Sequence, residues 1–77
     1  MAKRQKTVFD VVAENVAQRR QLCDLDQVQL ARRAKVPCGA VRQAECGDPQ
    51  LRITHLVRIS SALGVSVAWI FTDPETR

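Results

Sequence analysis

Apolar residues recur along the chain at steps of three and four, with polar residues between them, which is the pattern of helices that bury one stripe. Phe9, Val12, Ala13 and Val16 form the first such stripe. Thr7 stands where an N-cap belongs, with Asp10 three residues on as the acid of a capping box, so a helix is predicted from there to about Leu22 or Cys23. Asp24 and Leu25 make a short link. Asp26 caps a second helix, Gln27 to about Ala34, with Leu30, Ala31 and Ala34 inward. Lys35-Val36-Pro37 interrupts it, because the residue before a proline is pushed away from helical angles and proline is welcome at a helix start. A third helix, Cys38 to Glu45 or Cys46, turns Val41 and Ala44 inward and stops at Gly47.

A loop, Asp48-Pro49-Gln50-Leu51-Arg52, leads to a fourth helix near Ile53 to Leu63, with Ile53, Leu56, Ile59 and Leu63 in one stripe and Gly64 as its stop. Ser66 caps a short fifth helix, Val67 to Phe71. The expected fold is all-α: a basic arm over residues 1–6, one five-helix domain over 7–72 and a short tail over 73–77. Composition agrees. The 77 residues are 45% hydrophobic, with few glycines, prolines and aromatics, which favours helices over a sandwich or barrel. A domain of this size buries only roughly 60% of its unfolded surface, so dimerisation would help it.

The formal charge is +4 and the sequence pI about 9.5, which points to polyanions as partners without specifying one. Cys23, Cys38 and Cys46 form neither a Cys-x-x-Cys pair nor an even set, and the single histidine, His55, has no ligand-like spacing to them. A disulfide framework, a metal site and any other cofactor are therefore not expected, and free thiols suit the cytoplasm. No signal peptide or membrane span is legible. No nucleophile–base–acid set, phosphate loop or metal cluster is present, so an enzyme is not expected.

Two short helices joined by three residues have the dimensions of a helix-turn-helix, although any small bundle contains tight helix pairs. The surrounding residues narrow the reading. Asp26-Gln27-Val28-Gln29-Leu30-Ala31, then Val36, Val41, Glu45 and Gly47, resemble the lambda-repressor/Cro-like (XRE) family. Downstream, Ile59, Leu63-Gly64-Val65-Ser66 and Trp69-Ile70 look like that family's closing helices, and upstream Val16 and Arg20 fit its pattern. Three positions depart from it. Lys35 stands where the turn usually has glycine, Pro37 replaces a capping Ser or Thr, and Gly39 lies inside the third helix at a cost of roughly 1 kcal/mol against alanine.

The resemblance implies double-stranded DNA as partner and a third helix that enters the major groove. It places Cys38, Gly39, Arg42 and Gln43 on the reading face. Arg42 has the chemistry to pair with guanine O6 and N7, and Gln43 with adenine N6 and N7; on residues alone both also read as a solvated helix face. Gln27, Arg33, Lys35, Gln50 and Arg52 are expected on phosphates, and Lys3, Arg4 and Lys6 in an arm that either grazes DNA or only solubilises the chain. Arg20 and Glu45 are implied as a structural ion pair. Val65, Val67, Trp69, Ile70 and Phe71 carry more apolar bulk than one short helix can bury, which points to a two-fold interface. The cysteines read as small core or neutral surface residues; Cys38, at the reading face, also allows a redox sensor, because oxidation there would add bulk or charge where the groove must fit. The expected function is a dimeric, autoregulatory repressor on an inverted-repeat operator, with no small-molecule ligand; a restriction–modification controller and an antitoxin-type protein-binding module are the alternatives.

Overall fold

The computed structural model describes residues 6–76. Five α-helices follow in order: α1 (Val8–Leu22), α2 (Gln27–Ala34), α3 (Cys38–Cys46), α4 (Ile53–Ala62) and α5 (Val67–Ile70), with a 3-10 turn at Pro74–Thr76 and no strand among the described residues. Three of the helices start on side-chain caps. The Asp10 N–H donates to Thr7 Oγ1 at 3.2 Å and the Thr7 N–H to Asp10 Oδ2 at 3.0 Å. Asp26 forms a second box with Gln29, which the sequence reading missed because Gln29 counted only as a family match. The Trp69 N–H donates to Ser66 Oγ at 3.0 Å. Each box satisfies two otherwise orphaned N–H groups.

Helices α1 to α4 end in one way. A residue with left-handed backbone turns the chain, and the next N–H returns to a carbonyl five residues back: Leu25 to Arg20, Val36 to Ala31, Asp48 to Gln43 and Val65 to Ser60. This closes the last turn in a Schellman-type cap. Gly47 needs to be glycine, since its φ is 74° and a Cβ there would stand 3.3 Å from Asp10 Oδ1. Lys35 adopts the same conformation, with φ 59° and ψ 45°, where a side chain is strained. Its carbonyl accepts a hydrogen bond from Arg58 Nη1 at 3.2 Å, which ties the turn to α4. Lys35→Gly is expected to raise stability by about 0.5–1 kcal/mol, the left-handed penalty less the extra chain entropy of glycine. Thermal melts would register that as a Tm higher by roughly 3–6 °C; an unchanged or lower Tm would refute the strain.

The core joins all five helices. Leu30, Leu56, Ile59, Leu63, Ile70, Val12, Val16 and Val41 are almost wholly enclosed, and each such side chain contributes about 1.5–3 kcal/mol of transfer free energy. Helix α1 lies against α3 and α5, while α2 lies against α3 and α4. The short α3 is thus clamped on one side by two helices and open on the other. Two predicted stripes are corrected. In α1 the buried residues are Val11, Val12, Asn15 and Val16, while Phe9 and Ala13 lie half out. In α4, Ile53 is 62% exposed and Ser60 is buried instead, because α2 and α5 cover the Leu56–Ile59–Ser60 side of the helix and leave its first residue outside.

Candidate DNA interface

The recognition-helix candidate is held by its inner face. Ala40, Val41 and Ala44 are buried, whereas Gly39, Arg42 and Cys46 are exposed and Cys38 and Gln43 half-buried. The outward positions Gly39, Arg42 and Gln43 fall at steps of three and four and share one side, whereas half-buried Cys38 at the start of the helix packs against the core. Pro37 offers α3 no side-chain cap; of the first-turn N–H groups, that of Ala40 donates to the Pro37 carbonyl at 2.9 Å. At Gly39 a Cβ would meet no atom within 4 Å and the φ is not positive. The fold does not need glycine there.

An ion pair ties this helix to α1. Arg20 Nε donates to Glu45 Oε2 at 2.7 Å and Arg20 Nη2 to Glu45 Oε1 at 3.0 Å, a two-pronged bridge from α1 to α3. The side chains are 15% and 10% exposed. Arg20 Nη1 also donates to the Leu25 carbonyl at 2.9 Å. The bond to Glu45 raises the Arg20 pKa, so the guanidinium stays charged. Gln27 Nε2 adds a third donor to Glu45, 3.3 Å from Oε1. Gln27, the first residue of α2, therefore braces α3 from the side on which its helix N-terminus faces out.

Arg33, Lys35, Gln50 and Arg52 are exposed, the last two within the loop between α3 and α4. This loop is organised by a residue the sequence reading passed over. Asp48 accepts Gln43 Nε2 at 3.2 Å on one carboxylate oxygen and the Gln50 N–H at 2.9 Å on the other. The only sequence signal for it is its place directly after the glycine stop, five residues beyond Gln43.

Two expectations are corrected. Lys6 does not extend with a free arm: its ammonium lies 3.1 Å from Glu14, 3.5 Å from Asp73 and 3.9 Å from Glu75. The hydrogen bond to Glu14 is the main cause of its raised pKa. Lys3 and Arg4 lie outside the described residues. Ile70 belongs to the core at 0% exposure, because α5 is one turn long and points its last residue under α1 and α4; it is not available to a second subunit. Val65, Val67 and Trp69 are half-buried, Val65 and Trp69 against that core, and Phe71 is exposed. The three cysteines are free thiols, of which Cys46 is exposed. No helix among the described residues is long and apolar enough to cross a membrane.

A family model described as helix-turn-helix matches residues 16–70. No curated protein and no solved structure matches the chain. The matched span runs from Val16 in the core of α1 to Ile70 at the end of α5, and so contains the clamp, the turn and the exposed side of α3. The chain belongs to the XRE/lambda-repressor-like helix-turn-helix family of DNA-binding transcriptional regulators.

Proposed function

We propose that the protein is a dimeric, sequence-specific repressor that binds an inverted-repeat operator and controls its own transcription by concentration. The observation that carries this reading is the exposed side of α3. Arg42 extends into solvent from a helix whose other side is locked into the core, with Gln43 beside it. Arg42 takes guanine O6 and N7, Gln43 takes an adenine edge, and Cys38 and Gly39 leave room for close approach. Gln27, Arg33, Lys35, Gln50 and Arg52 hold phosphates and set the register of the protein on the duplex without reading sequence. Half-buried Val65, Val67 and Trp69 with exposed Phe71 form the two-fold contact, at an apolar surface that a monomer seldom leaves open.

Selection from random duplexes tests these statements together. The recovered sites should be inverted repeats with half-sites about 10–10.5 base pairs apart, one helical turn. Arg42→Ala should lower affinity for the selected duplex by roughly 5–150-fold, the range of one paired base contact, with little effect on unrelated DNA. Arg52→Ala should instead weaken all sequences alike and reduce the salt slope by about one unit. Undiminished base preference in Arg42→Ala would refute the reading of α3, and single half-sites bound by a monomer would refute the dimer. Footprinting upstream of its own coding sequence tests autoregulation, and absence of a protected site there would dismiss it.

A further inference from the structure

We propose that Asp48 is a positioning residue that fixes which way the Gln43 side-chain amide faces, and thereby makes Gln43 a reader of adenine rather than guanine. The inference rests on Gln43 reading DNA, as argued above, and adds how its choice of base is made. Three hydrogen bonds hold Asp48 at the end of α3. Its N–H donates to the Gln43 carbonyl at 3.1 Å, and its own carbonyl accepts the Leu51 N–H at 3.2 Å. Its Oδ1 accepts the Gln50 N–H at 2.9 Å. The carboxylate is therefore set in place by backbone on both sides, and its other oxygen, Oδ2, accepts Gln43 Nε2 at 3.2 Å.

An ionised carboxylate only accepts hydrogen bonds, whereas a glutamine amide has one donating and one accepting end. Only the NH2 end of Gln43 can face Asp48; a flipped amide would put Oε1 against the carboxylate. With one Nε2 hydrogen on Asp48, Gln43 keeps Oε1 and its second hydrogen for a base. Adenine offers the complement in the major groove, an N6 donor beside an N7 acceptor, while guanine offers two acceptors, O6 and N7. The held amide matches the first and sets Oε1 against O6 of the second. The same carboxylate reaches the Gln50 N–H, so one residue couples the reading helix to the loop expected on a phosphate.

Asp48→Asn isolates this role. Asparagine keeps an acceptor for the Gln50 N–H and so preserves the turn, but it then turns its NH2 toward Gln43, which no longer favours the native amide orientation and instead attracts Oε1. The measurement is affinity for the selected duplex, for its single-base variants and for an unrelated duplex, in Asp48→Asn, in Gln43→Ala and in the double variant. Asp48→Asn is expected to lose roughly tenfold of the preference for adenine at the Gln43 position, within the range of one paired base contact. It should bind the unrelated duplex a few-fold more tightly, since one negative charge leaves a surface that meets phosphates. In the Gln43→Ala background, Asp48→Asn should change no base preference. A purely structural role would lower affinity for every duplex in proportion to a lower Tm, and that result would overturn the proposal. If Gln43→Ala abolishes the adenine preference while Asp48→Asn retains it, the role of Asp48 alone fails. If Gln43→Ala leaves every preference intact, Gln43 is no reader, and both statements fail.

Discussion

Glu45→Ala is expected to destabilise the domain by about 3–5 kcal/mol, the usual consequence of removing one half of a buried ion pair. The loss has three parts. Arg20 keeps a charge that is largely out of water, with the Leu25 carbonyl as its remaining hydrogen-bond acceptor among the described residues. The Gln27 amide loses its acceptor on Glu45. Helix α3 loses a charged tie to α1, so its tilt relaxes along with its stability. For a domain of this length, each 1 kcal/mol moves the Tm by roughly 4–8 °C, so a fall of well over 10 °C is expected, accompanied by weaker DNA binding at temperatures where the chain is still folded. Arg20→Lys should fall between the parent and Glu45→Ala, because an ammonium cannot form the two-pronged bridge. The pair should be insensitive to alkali. Glu45 raises the Arg20 pKa, and a group with a raised folded-state pKa loses its contribution only as pH climbs through that already high value. A Glu45→Ala protein that melts within about 2 °C of the parent, against the shift that a broken pair implies, would show that the bridge is not structural.

The second large effect is expected at Asn15, which is fully enclosed between α1 and α5. Its Nδ2 donates to the Ile70 carbonyl at 2.7 Å and the Thr72 carbonyl at 2.8 Å, with the Trp69 carbonyl at 3.4 Å. The Trp69 and Ile70 carbonyls end α5, a single turn too short to hold itself, and that of Thr72 lies just beyond it. Asn15→Ala should lower stability by roughly 2–4 kcal/mol, from stranded acceptors and a small cavity. Asn15→Asp should do more harm at neutral pH, because a carboxylate has no hydrogen to give and would face those carbonyl oxygens as a buried charge. Burial and the facing carbonyls raise its folded-state pKa, so the deficit grows as pH rises above the ordinary carboxylate range and shrinks below it. Circular dichroism melts at pH 7 and pH 4 would check this; a variant with the parent's Tm at both would refute the role of Asn15.

Asn15 also marks how far a sequence of this kind can be read. Polar residues in a helical pattern are assigned to the wet side by default, and nothing local to Asn15 indicates that the chain returns 55 residues later with carbonyls for it. Trp69, Ile70 and Phe71 posed the converse problem. Apolar bulk says that a residue gains from cover, not what covers it; the position of α5 under α1 and α4 took Ile70 into the core and left Phe71 outside. Ile53 kept the helical spacing of its stripe and still lies exposed at the start of α4. At the candidate interface, the side of α3 that carries Arg42 was legible because helical spacing turns Val41 and Ala44 inward; the structure adds Ala40 to the buried side. The hold of Asp48 on Gln43 was not, because it depends on a loop folding back over the helix end.

The helices, their caps and their stops follow from the amino-acid sequence alone. Thr7, Asp26, Ser66, Gly47 and Gly64 act on backbone within a few residues, and such short-range bonds need no knowledge of the rest of the molecule. Tertiary structure alone decided the partners of Asn15, Lys6 and Asp48, the side of α4 that is covered, and which of the closing apolar residues remain at the surface. Those outcomes depend on groups distant in sequence or on the packing of whole helices, and a residue's own type states only what it requires, not where in the chain it is supplied.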